Sequence, residues 1–486
     1  MKFSSTRDAK IKESFSSAIV KDRSIDGGLF LPEKLPKLSK TDISKLRSMS
    51  FTEISAFIFK SFADEFEYSE LLDIFEKAFS NFEENVVSTV LVDEGLNFCE
   101  AFNHECESIK TLQNAVLPYL IEKAKDKLGI ENKTLIIAFA EKDCEKVISK
   151  DDCDSIYTLS ICPTDTNCVQ KSLLRDSRND RNGFVEIKDS QKNVKNEIIE
   201  SFTYERIESA LRNHGFSSYY ACDASLIGIL IRLSRIVSTY CDLLNGEQLH
   251  ENETFNVALN SEDVVETIAC LYAKKIGIPV NTIICADDSR KIAVKFWNEG
   301  VLNLEETDES YAIDFAAIEM LLFELFDGDC QKTERAMNEL HTNHATRVDK
   351  KLFASSSVLA GYATNDEVCE IIESVADEWD YVCSPSTARA TSVYDDCSCE
   401  VDDERVVAII ADESPFLEAV NTLYAITKRR ESDYLKAINL LTFATGIETP
   451  MKYKSINNNH MTKDEFESKT DVCESITEFV ETLKGE

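Results

Sequence analysis

Apolar runs of strand-like composition alternate with helix-forming stretches through most of this chain, and that alternation constrains the fold more than any other feature. Thr134-Leu-Ile-Ile-Ala-Phe139, Ile156-Tyr-Thr-Leu-Ser-Ile161 and Phe184-Val-Glu-Ile187 each precede a helix-like segment. The pattern returns at Phe255-Asn-Val-Ala-Leu259, Val280-Asn-Thr-Ile-Ile-Cys285 and Val406-Val-Ala-Ile-Ile-Ala411. Such alternation predicts mostly parallel α/β sheets, here in two lobes. The N-terminal stretch reads differently. Ser50 and Glu53 have the form of a capping box, and Ile54, Phe57, Ile58 and Phe62 recur at helical spacing, as do Leu71, Leu72, Phe75, Ala78 and Phe79. The expected division is a helical N-terminal domain at 1–82 and an α/β core at 83–486.

Charge and glycine content narrow the chemistry. Lys plus Arg number 53 and Asp plus Glu 88, a net charge of −35 that argues against a nucleic-acid partner. Only 14 residues are glycine, and only Gly27 and Gly28 lie close together, so no dinucleotide fingerprint or Walker loop can be written. The longest apolar stretch, 226–237, is short for a membrane span and is interrupted by Arg232 and Arg235, so no membrane partner is expected. Sixteen cysteines without a secretory leader predict reduced thiols and a cytoplasmic location. Cys397 with Cys399, and His341 with His344, lack the paired spacing of a structural zinc site, and no metal is expected.

A family resemblance carries the rest. Ser4-Ser-Thr-Arg7, followed by Ile25-Asp-Gly-Gly-Leu-Phe-Leu-Pro-Glu-Lys-Leu-Pro36, resembles the N-terminal signature of threonine synthase, a fold-type II enzyme using pyridoxal phosphate (PLP). Tyr272-Ala-Lys-Lys-Ile-Gly-Ile-Pro279, Glu319-Met-Leu-Leu-Phe323 and the stretch from Tyr381 to Ala390 resemble later segments of that family in the same order. The fold implied is α/β, tryptophan-synthase-β-like, with two lobes of parallel sheet behind a helical N-terminal domain. The resemblance places Lys110 at the position of the lysine that forms a Schiff base with PLP. Read on its own, Lys110 is a lysine on an early helical turn.

The family's phosphate-binding loops read differently here. One becomes Ala140-Glu141-Lys142-Asp143, the other Ser261-Glu262-Asp263, with no glycine in either. A carboxylate about 4 Å from a phosphate charge costs about 4 kcal/mol at an effective dielectric of about 20, near a thousandfold in affinity. The resemblance therefore implies a threonine synthase-like protein whose PLP chemistry is lost or strongly altered, a pseudoenzyme serving as scaffold, regulatory partner or small-molecule binder. The alternative is a divergent active lyase of amino-acid metabolism, converting O-phosphohomoserine and water to threonine and phosphate through Lys110. A protein partner or homo-oligomer is compatible with either.

Overall fold

Two parallel sheets organise the α/β part of the computed structural model, which describes residues 1–82, 86–103, 106–140, 147–149, 152–203, 206–304, 314–353, 356–397, 405–454, 456 and 469–483. The larger has six strands in the order Val358–Tyr362, Val280–Asp287, Phe255–Asn260, Val407–Ala411, Leu96–Glu100 and Ser88–Asp93. All its pairings are parallel except the last, between 88–93 and 96–100. The smaller has four parallel strands, Asn182–Ile187, Ile156–Pro163, Lys133–Phe139 and Phe216–Ala221 in that order.

Inner strands such as 133–139, 255–260 and 407–411 are buried on both faces, which explains why they read as continuous apolar runs. Successive side chains still go to opposite sides. From the strand 255–260, Val257 and Leu259 join the main core while Ala258 joins a second one; from 407–411, Ala408 and Ile410 join the main core while Val407, Ile409 and Ala411 join the second. In the smaller sheet Ile136 and Ala138 face the main core, and Leu135, Ile137 and Phe139 face a third. The main core is therefore shared by both sheets. Buried within it is the helix Leu226–Asn245.

The two N-terminal helices expected from periodicity are Phe51–Phe62 and Tyr68–Phe79. The Ser50 capping box forms in full: Ser50 Oγ accepts from the Glu53 amide at 3.3 Å, and the Glu53 carboxylate accepts from the Ser50 amide at 2.8 Å. Their aromatic faces interlock, with ring centroids of Phe15 and Phe59 6.3 Å apart and those of Phe59 and Phe75 4.9 Å apart. Ahead of them lies a three-stranded antiparallel sheet, Lys12–Glu13, Phe3–Ser5 and Phe30–Pro32, which helical periodicity does not anticipate.

That small sheet gathers the N-terminal signature into one knot. Ser5 Oγ donates to both Asp26 oxygens, at 2.8 and 2.9 Å, and Thr6 Oγ1 accepts from the Leu29 amide at 2.9 Å while donating to Glu319 Oε1 at 2.5 Å. A Cβ on Gly28 would lie 2.3 Å from Ser5 Oγ, so the close approach itself demands glycine. Glu319 lies on the helix Phe315–Leu325 and fastens the signature to the core.

Candidate functional site

In parallel sheets, ligands bind beyond the carboxyl ends of the strands, where successive connections diverge. Four such ends meet here. The strand 96–100 leads to the helix Ile109–Leu128, which bears Lys110; the strand 216–221 ends just before Asp223; the strand 255–260 leads through Asp263 into the helix Val264–Ile276; and the strand 407–411 ends at Asp412. Backbone contacts lock these ends together: the Ile109 amide donates to the Asp412 carbonyl at 3.2 Å, and the Ser414 amide to the Glu107 carbonyl at 2.8 Å.

Two cavities open at this junction, of about 580 and 940 Å³, and Lys110, Lys195, Asp223 and Asp314 line both. The smaller reaches back to Arg7, Arg23, Asp26 and Glu319, so the N-terminal signature forms one of its walls. The larger runs along Ser261, Glu262 and Asp263 towards Asp287, Arg290 and Trp297.

Lys110 Nζ lies 3.0 Å from Asp223 Oδ2, with about a quarter of its side chain exposed. Burial opposes ionisation of Asp223, but Lys110 and Arg232 outweigh it and hold the carboxyl below its ordinary range. Behind this pair stand Arg232 and Arg235, both fully buried on the helix 226–245. Arg232 Nη2 and Nε lie 2.7 and 2.9 Å from Asp263 Oδ2, and Nη1 reaches Gln113 Oε1 at 3.3 Å. Arg235 forms ion pairs with Glu266 and Asp412. Gly228, one turn before Arg232, has no room for a Cβ, which would lie 2.2 Å from the Asp223 carbonyl oxygen.

Three cations, Lys110, Arg232 and Arg235, thus meet four carboxylates, Asp223, Asp263, Glu266 and Asp412. The burial of Glu266, opposed by Arg235 and reinforced by Asp412 and Asp263, pushes its carboxyl up to about 7. Among the described residues, Asp263, Glu266 and Asp412 have oxygens within 4.8 Å of one another, a spacing a metal ion can use, and all three carboxylates are ion-paired with Arg232 or Arg235.

The sequence-derived site residues divide accordingly. Lys110 and Asp263 converge on the junction. Glu262, beside Asp263, instead turns to an exposed ion pair with Arg290 at 2.6 Å. Ala140 is buried at the end of the strand 133–139, and its amide donates to the Ile161 carbonyl at 2.8 Å. Glu141, Lys142 and Asp143 lie outside the described residues, as does Cys399. His341 Nδ1 lies 2.7 Å from the Met337 carbonyl oxygen, and its ring stacks on Phe315 at 4.7 Å. Sequence reading overlooked the roles of Arg232, Arg235, Glu266 and Asp412. Two arginines three residues apart in an otherwise apolar run were the available signal, because such a run is buried and buried charges require partners.

The residues at the start of the helix 264–276 do not fit a cofactor phosphate. The position where an anion meets the helix amides is taken by the Asp263 carboxylate, whose Oδ1 accepts from the Glu266 amide at 3.0 Å.

Comparison with known proteins agrees with this architecture. Residues 2–79 match the family model "Threonine synthase N terminus". The chain is 22% identical over 452 residues to threonine synthase-like 1 of Macaca fascicularis, covering 86% of this chain but 59% of that relative. It is 20% identical over 492 residues to threonine synthase of Saccharomyces cerevisiae, covering 86% of this chain and 88% of the yeast protein. The structure of PLP-bound threonine synthase from Brucella melitensis superposes with a TM-score of 0.79 at 18% identity, covering 99% of both chains. Residues 2–79 thus match that family model, and the chain as a whole shares the α/β fold of the Brucella enzyme at far-diverged sequence.

Proposed function

We propose that this protein is a threonine synthase-like pseudoenzyme that has kept the cleft between its two sheets as a small-molecule binding site while losing PLP-dependent lyase activity. The observation that carries the reading is the Lys110–Asp223 ion pair at 3.0 Å. A lysine attacks an aldehyde only as the neutral amine. Neutral Lys110 would forfeit its pair and leave Asp223 with a charge that the pair now offsets, so this arrangement favours the ammonium form. The cleft itself persists, at about 580 and 940 Å³ on either side of the pair, within the range of ligand sites.

The test mixes the purified protein with PLP and follows absorbance, with Lys110→Ala alongside. The expected result is no band that depends on Lys110. A lysine-dependent Schiff-base band would establish the alternative, a divergent enzyme converting O-phosphohomoserine and water to threonine and phosphate. Lys110 has a specific claim to that role too, because it stands on the first turn of the helix that follows the carboxyl end of the strand 96–100.

A further inference from the structure

We infer that the Asp263 carboxylate is an internal anion occupying a latent phosphate site, so that the chain itself supplies the negative charge that an anionic ligand would bring. The inference rests on the reading of the cleft given above and specifies its chemistry at one end. Three features converge on Asp263. Its Oδ1 takes an amide at the N terminus of the thirteen-residue helix 264–276, and its Oδ2 takes two donors from Arg232 at 2.7 and 2.9 Å. Arg232 is fully buried, and Asp263 is its nearest anion at 2.7 Å, with Glu266 and Asp223 further off at 3.6 and 3.8 Å. The carboxylate also lines the 940 Å³ cavity, so the anion position faces space that a ligand can enter.

A helix N terminus plus a buried arginine is the donor set that holds phosphate oxygens. Here the same donors are satisfied from within the chain. Arg232 Nη1 is taken as well, by Gln113 Oε1 at 3.3 Å and the Gly228 carbonyl at 3.4 Å. A phosphate arriving at this place meets a fixed carboxylate before it meets the guanidinium. The site is therefore closed to phosphate by charge, while its donors remain in position.

Removing the charge without removing the cap opens it. Asp263→Asn keeps a side-chain oxygen for the Glu266 amide, and Asp263→Ser keeps a shorter one. The probes are inorganic phosphate, PLP and pyridoxal, added to the full chain at matched ionic strength and read by thermal shift. Wild type is expected to respond to none of them through phosphate. Asp263→Asn is expected to unfold at lower temperature, to regain stability with phosphate, and to prefer PLP over pyridoxal by about tenfold. Glu94→Gln, exposed and outside both cavities, is expected to behave as wild type. If neither Asp263 variant folds alone, recovery on refolding with phosphate supports the inference, and failure to recover overturns it. Equal phosphate responses in wild type and Asp263→Asn, or silence in both folded variants, also overturn it. Repeating the titration with Lys110→Ala separates the two readings. A lysine-dependent band defeats the loss of PLP chemistry and leaves the Asp263 result to stand or fall on phosphate alone.

Discussion

Arg7 and Glu319, far apart in the sequence, meet in a two-point ion pair: Nε to Oε1 at 3.1 Å and Nη2 to Oε2 at 2.8 Å. Glu319 is buried, so it depends on Arg7 and Thr6 for its charge compensation. Arg7→Ala is expected to destabilise the protein by about 2 to 3 kcal/mol in urea unfolding, because it strands a buried carboxylate. Arg7→Lys should recover only part of this, since an ammonium cannot reproduce the fork. Equal stability for all three proteins would remove the latch from the account.

Gly28 offers a steric prediction independent of charge. Gly28→Ala puts a methyl group 2.3 Å from Ser5 Oγ and 2.9 Å from Thr6 Oγ1. The expected loss is about 1 to 3 kcal/mol, and Ser5→Ala in the same chain should restore part of it by removing the nearer oxygen. Denaturant midpoints of the single and double variants decide.

The Glu266 carboxyl makes stability depend on pH in a specific direction. Burial raises it from 4.5 to about 7, so between these values the folded protein binds more protons than the unfolded chain. This contribution is fully present below about pH 4.5 and is lost as pH rises through about 7. Glu266→Gln removes the titration. Wild type is therefore expected to lose stability relative to Glu266→Gln between pH 5 and pH 8, by on the order of 1 kcal/mol or more. A constant difference across that range would show that Glu266 stays ionised against Arg235.

Three buried cysteines are expected to be chemically quiet in the folded protein. Burial pushes the thiols of Cys99, Cys285 and Cys383 up to about 12, so almost none is thiolate at neutral pH. Iodoacetamide should leave these three unmodified in native protein and label them after denaturation, as read by peptide mass. Rapid native labelling of any of them would contradict their buried setting.

These expectations draw on features of unequal visibility in the sequence. Strands such as 133–139 and 407–411 are evident because burial on both faces removes polar residues from them. Leu96–Glu100 and Phe216–Ala221 escaped notice because Asn97 and the pair Ser217, Ser218 interrupt the apolar pattern, although Asn97 and Phe216 are both buried. Val358–Tyr362, an edge strand, is only partly buried and short of bulky residues. At the site, Asp263 stood out as a charge in a loop expected to be small and neutral. Its partner Arg232 lies 31 residues earlier, and no local pattern reports a contact across that distance.

The order of strands in the larger sheet governs how the chain must assemble. The strand 407–411 lies between 255–260 and 96–100, pairing with both, although it comes last of the sheet's strands in the sequence. Until it is in place, the pair 88–93 and 96–100 and the trio 255–260, 280–287 and 358–362 have no hydrogen bonds to each other. Closure of the sheet thus waits for a contact of long sequence separation, and such contacts slow folding because chain entropy is lost before pairing repays it. A chain cut before residue 407 would carry two open strand edges facing a gap one strand wide, a template for pairing with another copy of itself.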